Sequence, residues 1–388
     1  MKSWSYVNPR LQLAWDPTSL RALMKCPRYY QYTIVEGWRR GDNVHLDFGS
    51  MFQECVELFQ RLRLRGTDLP TATREMLRRA LQISGHYAPL GAPDYEPDAL
   101  PALPFSYTWH PWGGVYVRRW RCTGTEPYKN AKGNKAKCPN AHARVWQDGA
   151  RTEPCALCLS PVELQNQYTP EHPSKHRLNL VRALCLFAER QHATRGLQPY
   201  SFPDGTEGVE INLTVPMGRA IGDESYLLSA NIDELNALDG LVYITDNKTT
   251  KDPLNERYFQ QYSPDIQPDV YDLVASIGWP DLPLGGLAWR AFQVTKEGVD
   301  TKTARIHKTP AQREELWRDL HYWLDQAERF AADGYWPMNR AACRGCEFAG
   351  PVCDQDPEFR EAHLAADFEK RGAWDPLERP GRSTGESK

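Results

Sequence analysis

Between Ser229 and Lys251 the sequence reads SANIDELNALDGLVYITDNKTTK, and it can bring two carboxylates and an amine to one patch. Asp239-Gly240 between apolar runs is a strong two-residue hairpin signal. Leu227, Leu228 and Ile232 precede it, and Leu241, Val242, Tyr243 and Ile244 follow in a β-branched run. With Asp239-Gly240 as the whole loop, Leu238 faces Leu241 and Asp233 faces Asp246. Directly opposed residues lie about 5 Å apart at Cβ, on one face of the sheet. Lys248, two positions beyond Asp246, shares that face. Like charges so opposed destabilise a bare hairpin, and a hard divalent cation such as Mg²⁺ or Mn²⁺ between them reverses that sign. A solvated, charged hairpin face is the alternative.

The cysteines form two further sets. Cys343-Arg344-Gly345-Cys346 is followed by Cys353, and the fourth ligand such a triplet lacks can come from Cys26, which aromatic residues flank (Tyr29, Tyr30, Tyr32, Trp38). Four thiolates suit a [4Fe–4S] cluster, with zinc as the alternative. In the second set Cys122 and Cys138 precede Cys155-Ala156-Leu157-Cys158, with His142 also available. The CxxC has the spacing of a closed tetrahedral Zn²⁺ site, and unligated thiols are the alternative. Around this second set the chain is basic, with Arg118, Arg119, Arg121, Lys129, Lys132, Lys135, Lys137 and Arg144 opposed between 115 and 145 only by Glu126. Trp120 and Tyr128 lie among them. That mix suits phosphate contacts with base stacking, or a solvated basic loop.

The elements that must position these groups are legible in outline. Thr18 or Ser19 can cap a helix carrying Leu20, Leu23 and Met24 toward Cys26. Helical patterns run through Val56, Phe59 and Leu62, from His176 to Thr194 with Cys185 among apolar neighbours as a buried thiol, and over 311–331. Residues 208–215 alternate as a strand with Glu210 off the apolar face, and 287–295 read as another. Gln267 and Tyr271 stand four apart at the start of a helix, with Pro268 accepted at its first position. Residues 91–112, rich in proline and aromatics, read as an irregular connection.

At 388 residues the chain can bury a large core. A charged fraction of 25% and a mean hydropathy of −0.64 fit a cytoplasmic protein. No apolar run nears the roughly 18 residues that span a bilayer, and MKSWSYVNPR carries no apolar signal segment. Ten cysteines without such a signal argue for metal ligation over disulfides. A formal net charge of −3 gives no global nucleic-acid signature, but phosphate contacts come from local clusters. No Walker A sequence is present, so any helicase would be a separate chain.

Ile232-Asp233, then Asp246-Asn247-Lys248-Thr249-Thr250, together with the cysteine triplet, resemble the PD-(D/E)XK nuclease superfamily, and within it the RecB-like branch whose members carry an iron–sulfur cluster. The resemblance implies an α/β fold, a mixed sheet flanked by helices, closed by a [4Fe–4S] cluster on Cys26, Cys343, Cys346 and Cys353. It implies one nuclease domain over 12–358, with the Cys-rich basic insert at 105–165 outside the family pattern. The triplet occupies 343–353, and a disordered tail is expected over 359–388.

By the same resemblance Asp233 and Asp246 hold Mg²⁺ or Mn²⁺, Lys248 acts on the attacking water, and Gln267 and Tyr271 contact substrate beside the metal. Glu210 matches a glutamate of the family's corresponding strand, with Gln260 or Gln261 as stand-ins for Gln267. The family places a histidine four residues after the glycine of Phe48-Gly49-Ser50-Met51-Phe52-Gln53. Gln53 stands there instead, with His45 just upstream. The function implied is a metal-dependent DNA exonuclease in recombination, repair or phage DNA processing. The alternatives are a DNA-binding scaffold that has lost cleavage and a site-specific endonuclease.

Overall fold

The computed structural model describes residues 2–40, 44–84, 106–108, 115–130, 133–138, 154–155, 157–169, 174–192 and 196–377, with backbone alone over 44–46, 106–108, 115–121 and 163–169 and at 192. After a short strand β1 (Ala14–Trp15), Asp16 caps helix α1 (Pro17–Lys25) by accepting from the Ser19 amide, and Ser19 answers from the third helical position. The cap is thus Asp16, not Thr18 or Ser19, because the reciprocal capping box satisfies donors at both ends of the turn. Cys26 adopts extended backbone and separates α1 from α2 (Pro27–Tyr30), whose proline suits a first turn.

A two-residue strand β2 (Trp38–Arg39) leads to α3 (Val44–Leu64) and α4 (Leu69–Ile83). The insert contributes β3 (Ser106–Thr108), β4 (Val115–Cys122), β5 (Tyr128–Lys129), β6 (Lys135–Ala136) and β7 (Val162–Thr169). Strands β3, β4 and β7 form a separate three-stranded sheet, and β5 pairs with β6. So part of the expected irregular connection, 106–108, is a strand; 91–105 and 109–112 lie outside the described residues. Helix α5 (Arg177–His192) then returns to the main body. It buries Leu180, Ala183, Leu184, Phe187 and Ala188, a helical stripe that leaves Cys185 exposed, contrary to the buried thiol expected.

The central sheet starts with β8 (Gln198–Pro199), β9 (Val209–Ile221) and β10 (Glu224–Leu238), and continues with β11 (Leu241–Thr250). Helices α6 (Glu256–Gln260) and α7 (Ile266–Gly278) cross over to β12 (Leu284–Val294), and β13 (Val299–Ile306) follows antiparallel. β11 and β12 are parallel, so a crossover has to join them, and that crossover delivers α7 to the site. β10 is the longest strand. Its first half lies between β9 and β1, its second between β8 and β11. The sheet is therefore mixed.

Helices cover it from two sides. Leu20 and Leu23 of α1, Val270 and Val274 of α7, and Leu320 and Leu324 of α8 (Pro310–Asp333) share one apolar core with Trp15, Ile232, Ile244 and Trp289. Phe48, Phe52 and Phe59 of α3 share a second with α4, α5 and Phe292 of β12.

Beyond Cys353, α9 (Arg360–Asp367) and β14 (Glu369–Lys370) are folded, and β14 pairs with β2. The expected disordered tail is corrected through residue 377: Leu364 and Phe368 pack with Tyr32, Trp38 and Phe348, and the Trp374 indole donates to Asp16 Oδ1 at 3.1 Å. Residues 378–388 lie outside the described set.

Candidate active site and cysteine centres

Asp239 and Gly240 both lie in the left-handed region, φ 51° and 81°, as a type I′ hairpin turn demands. The ladder runs from Leu238↔Leu241 to Glu234↔Thr245, the register expected, so the next step sets Asp233 against Asp246. The Asp246 carboxylate is 1% exposed. Lys248 Nζ lies 2.8 Å from its Oδ1 and donates to its Oδ2 at 3.0 Å. The ammonium also sits 5.1 Å over the ring of Trp289, which is Asp246's neighbour on β12.

Gln267 closes the other side. Helix α7 begins at Ile266 behind the Asp265 cap, which puts Pro268 third and not first; its missing N–H costs nothing there, since the first turn has no intrahelical partners. Gln267 is thereby held inward, and its Nε2 donates to Asp246 Oδ2 at 2.9 Å and to the Tyr271 hydroxyl at 3.0 Å. Gln260 and Gln261 are both exposed, and Gln261 turns to the Tyr258 carbonyl, so neither substitutes.

On the far side Gln53 Nε2 lies 3.4 Å from Glu210 Oε1, and Asn247 Nδ2 lies 3.4 Å from Gln53 Oε1. Glu210 has φ 53°, a left-handed conformation that a non-glycine residue holds only under constraint. Its charge acts on Asp233. The structure thus gathers Gln53, Glu210, Asp233, Asp246, Lys248, Gln267 and Tyr271. The His45 side chain lies outside the described residues.

Sequence reasoning missed the support behind this face. Glu234, the next residue after Asp233, points to the opposite side and is 1% exposed. It accepts from Gln60 Nε2 at 2.5 Å, from Asn236 Nδ2 at 2.8 Å and from Asn247, with the Arg290 guanidinium 4.0 Å away. The network pins Asn247, the residue between Asp246 and Lys248.

Burial, and next the charge of Asp246, push Asp233 well above the ordinary carboxylate range. Asp246 is raised by burial too, though Lys248 draws it back. Burial works to lower Lys248, but Asp246 and Asp233 outweigh it and the lysine is raised, so it stays an ammonium. Tyr271 is pushed well up by burial and by the same two acids and stays a phenol. Asp246 Oδ1 is buried without an aligned hydrogen bond. Two acids that resist joint ionisation on one buried face, with Lys248 as their cation, fit a hard divalent ion between them.

The cysteine sets differ in spacing. Cys26, Cys343, Cys346 and Cys353 line one pocket with Tyr29, Tyr32 and Phe348. The Asn339 amide lies 3.3 Å from Cys26 Sγ. Tyr30, Tyr32 and Trp38 are buried, as core aromatics. Cys122, Cys138, Cys155 and Cys158 are all buried, and among the described residues theirs is the one group of three or more ligand-type side chains whose ligand atoms all lie within 4.8 Å of one another. Tyr128 is half-buried and packs against that cysteine cluster. Lys135 is exposed on β6; for Arg118, Arg119 and Arg121 only the backbone of β4 is described, and Lys132, His142 and Arg144 lie outside the described residues.

A mixed α/β sheet that offers two opposed carboxylates and a lysine from adjacent strands, flanked by helices that add a glutamine and a tyrosine, is a metal-dependent nuclease core in form. The chain matches the PD-(D/E)XK nuclease superfamily across residues 14–354, from β1 through Cys353, and it belongs to that superfamily. Membership points to a metal-dependent nuclease, a hydrolase. No curated protein matches the chain. Among the described residues no helix is long and apolar enough to cross a membrane.

Proposed function

We propose that the protein is a Mg²⁺- or Mn²⁺-dependent deoxyribonuclease that works from DNA ends. The observation that carries this reading is the convergence of Asp233, Asp246 and Lys248 with Gln267, whose one amide nitrogen bridges Asp246 and Tyr271. Asp233 and Asp246 are the residues to hold the cation, which when bound polarises the scissile phosphate and lowers the pKa of a water. Lys248, a cation held in place by Asp246, orients the attacking water and stabilises charge growing on the phosphorane. Gln267 fixes the Asp246 carboxylate, leaving Tyr271 a hydrogen-bonding phenol beside the substrate.

Gln53 fills the histidine position with a carboxamide bonded to Glu210 and Asn247, which supports both sides of the acid pair without ligating metal itself. Cys26, Cys343, Cys346 and Cys353 hold a [4Fe–4S] cluster in this reading, a structural clasp remote from the chemistry. Action from ends rests on the likeness to the RecB-like branch.

The test is digestion of end-labelled single- and double-stranded DNA with Mg²⁺ or Mn²⁺, for the wild type and Lys248→Ala. Mononucleotides or short oligomers are expected from the wild type. The variant should bind DNA as before and cleave at least about 10²-fold more slowly, the scale of one lost transition-state donor. Discrete internal fragments would replace the exonuclease by an endonuclease, and equal cleavage by the variant would remove Lys248 from the site.

A further inference from the structure

We propose that the insert holds one structural Zn²⁺ on Cys122, Cys138, Cys155 and Cys158, independently of the nuclease site and of the other cysteine set. The four thiols come from three separate stretches: the end of β4, the second residue after the β5–β6 hairpin, and the CxxC before β7. Their sulfurs converge, with Cys122 Sγ 3.3 Å from Cys158 Sγ and Cys138 Sγ 3.8 Å from Cys155 Sγ. Four thiolates about 2.3 Å from one Zn²⁺ in a tetrahedron are spaced about 3.8 Å from each other. Two disulfides would account for two close pairs, but not for all four sulfurs lying within 4.8 Å of one another.

The backbone around the thiols is bent to suit. Gly124 has φ 67° and its amide donates to Cys122 Sγ at 3.3 Å. On the opposing turn the residue after Cys158 is Leu159, also left-handed at φ 63° and 73% exposed, so no packing of its own side chain explains that conformation. Its amide donates to the Cys155 carbonyl at 2.8 Å, closing the CxxC turn, and the Ser160 hydroxyl sits 3.0 Å from Cys158 Sγ. The Gly124 N–H donates to sulfur, and the Ser160 hydroxyl, which accepts from the Cys158 thiol, can donate to it once metal binding leaves a thiolate. Such outer-shell partners orient metal-bound thiolates. A leucine kept in a glycine conformation beside four converging sulfurs marks a turn built to hold something.

The ion has a mechanical consequence. Cys122 and Cys138 bracket the β5–β6 hairpin, in which Lys129 lies opposite Lys135. Lys129, Lys135 and Lys137 are all exposed, and like charges so paired oppose the hairpin's own closure. Zinc at its base holds that basic finger in shape. Four irons and one zinc then go to separate places in one chain: the close set suits a single ion, the wider set a cluster.

The experiment is metal analysis and spectroscopy on the full chain. The wild type purified without added metal should carry about one zinc per chain besides any iron. After zinc removal, Co²⁺ alone should give the visible bands of a tetrahedral tetrathiolate site. Cys158→Ala should lose the zinc and the Co²⁺ bands while its iron content stays at the wild-type level. Cys346→Ala should do the reverse, so failure of the cluster reading and failure of this one are separable. A wild type that holds no zinc and takes up no Co²⁺ overturns the proposal, whatever the variants do. So does a denatured, unreduced chain four hydrogens lighter than its reduced mass, the signature of two disulfides, or full zinc retention by Cys158→Ala.

Discussion

Burial first, then the charge of Asp246 across the hairpin, and more weakly that of Glu210 on β9, push the proton affinity of Asp233 up. Below the pKa of a free carboxyl this makes no difference to folding. Above it the native state binds more protons than the unfolded chain, so stability falls as pH rises toward the folded pKa. Without metal the protein should therefore lose stability from mildly acidic to mildly alkaline pH. Asp233→Asn removes one titrating group and its repulsion of Asp246, and thermal unfolding in EDTA should show a higher Tm at alkaline pH and a shallower slope. Added Mg²⁺ should raise the wild type and leave the variant nearly unmoved. A variant with the wild-type slope would mean that these acids do not repel one another. Adjacent acids in a strand point to opposite faces, so Asp233-Glu234 necessarily sends one of them away from the site. That signal stands in the sequence, but Glu234's partners do not: Gln60, Asn247 and Arg290 come from α3, β11 and β12, and nothing local ties them together.

The hairpin is the element on which the acid pair depends, and the pair depends on its register. One residue inserted between Asp239 and Gly240 moves every β11 side chain to the other face if the turn stays two residues long and the register shifts by one. Cleavage should drop at least about 10²-fold, the loss expected when a transition-state group leaves its place, while far-ultraviolet circular dichroism stays near wild type. Gly240→Asn, which tolerates φ above zero, should keep its activity. Activity surviving the insertion would show that the strands slip to restore the pairing. This register was legible because the Asp-Gly signal and the strand period are both local. The Gln267–Tyr271 pair was legible for the same reason, at helical spacing. The Asp16 cap was misassigned to Thr18 or Ser19 because all three residue types cap helices, and only the geometry chooses among them. Cys185 was misplaced because an apolar run does not by itself say where the buried stripe falls.

At the scale of the molecule the two ends of the described chain are tied. The Arg371 amide donates to the Gly37 carbonyl at 2.8 Å and the Trp374 amide to the Ile34 carbonyl at 2.9 Å. Gly37 has φ 76°, and a Cβ there would meet the Arg371 carbonyl oxygen at 2.0 Å, so only glycine admits this crossing. The Trp4 indole donates to the Trp374 carbonyl at 3.0 Å. Deleting residues 360–388 removes Leu364 and Phe368 from Trp38, Tyr32 and Phe348. At about 2–5 kcal/mol for each large buried side chain lost, the truncated protein should be several kcal/mol less stable, read by denaturant unfolding. The polar run at 379–388 hid this segment in the sequence, since its composition coloured the apolar positions just before it.

That tie also sets when the enzyme becomes itself. A ribosome makes Asp233, Asp246 and Lys248 well before it reaches Cys343 or Trp374, yet β10 rests on β1 from the start of the chain and Cys26 waits for the late cysteines. Contacts of such long sequence separation form slowly and only once both partners exist. The nascent chain thus carries its acid pair through most of synthesis without the fold that closes around it. Synthesis of the stretch through Trp374, not of the site residues, then times the closing of the fold around them.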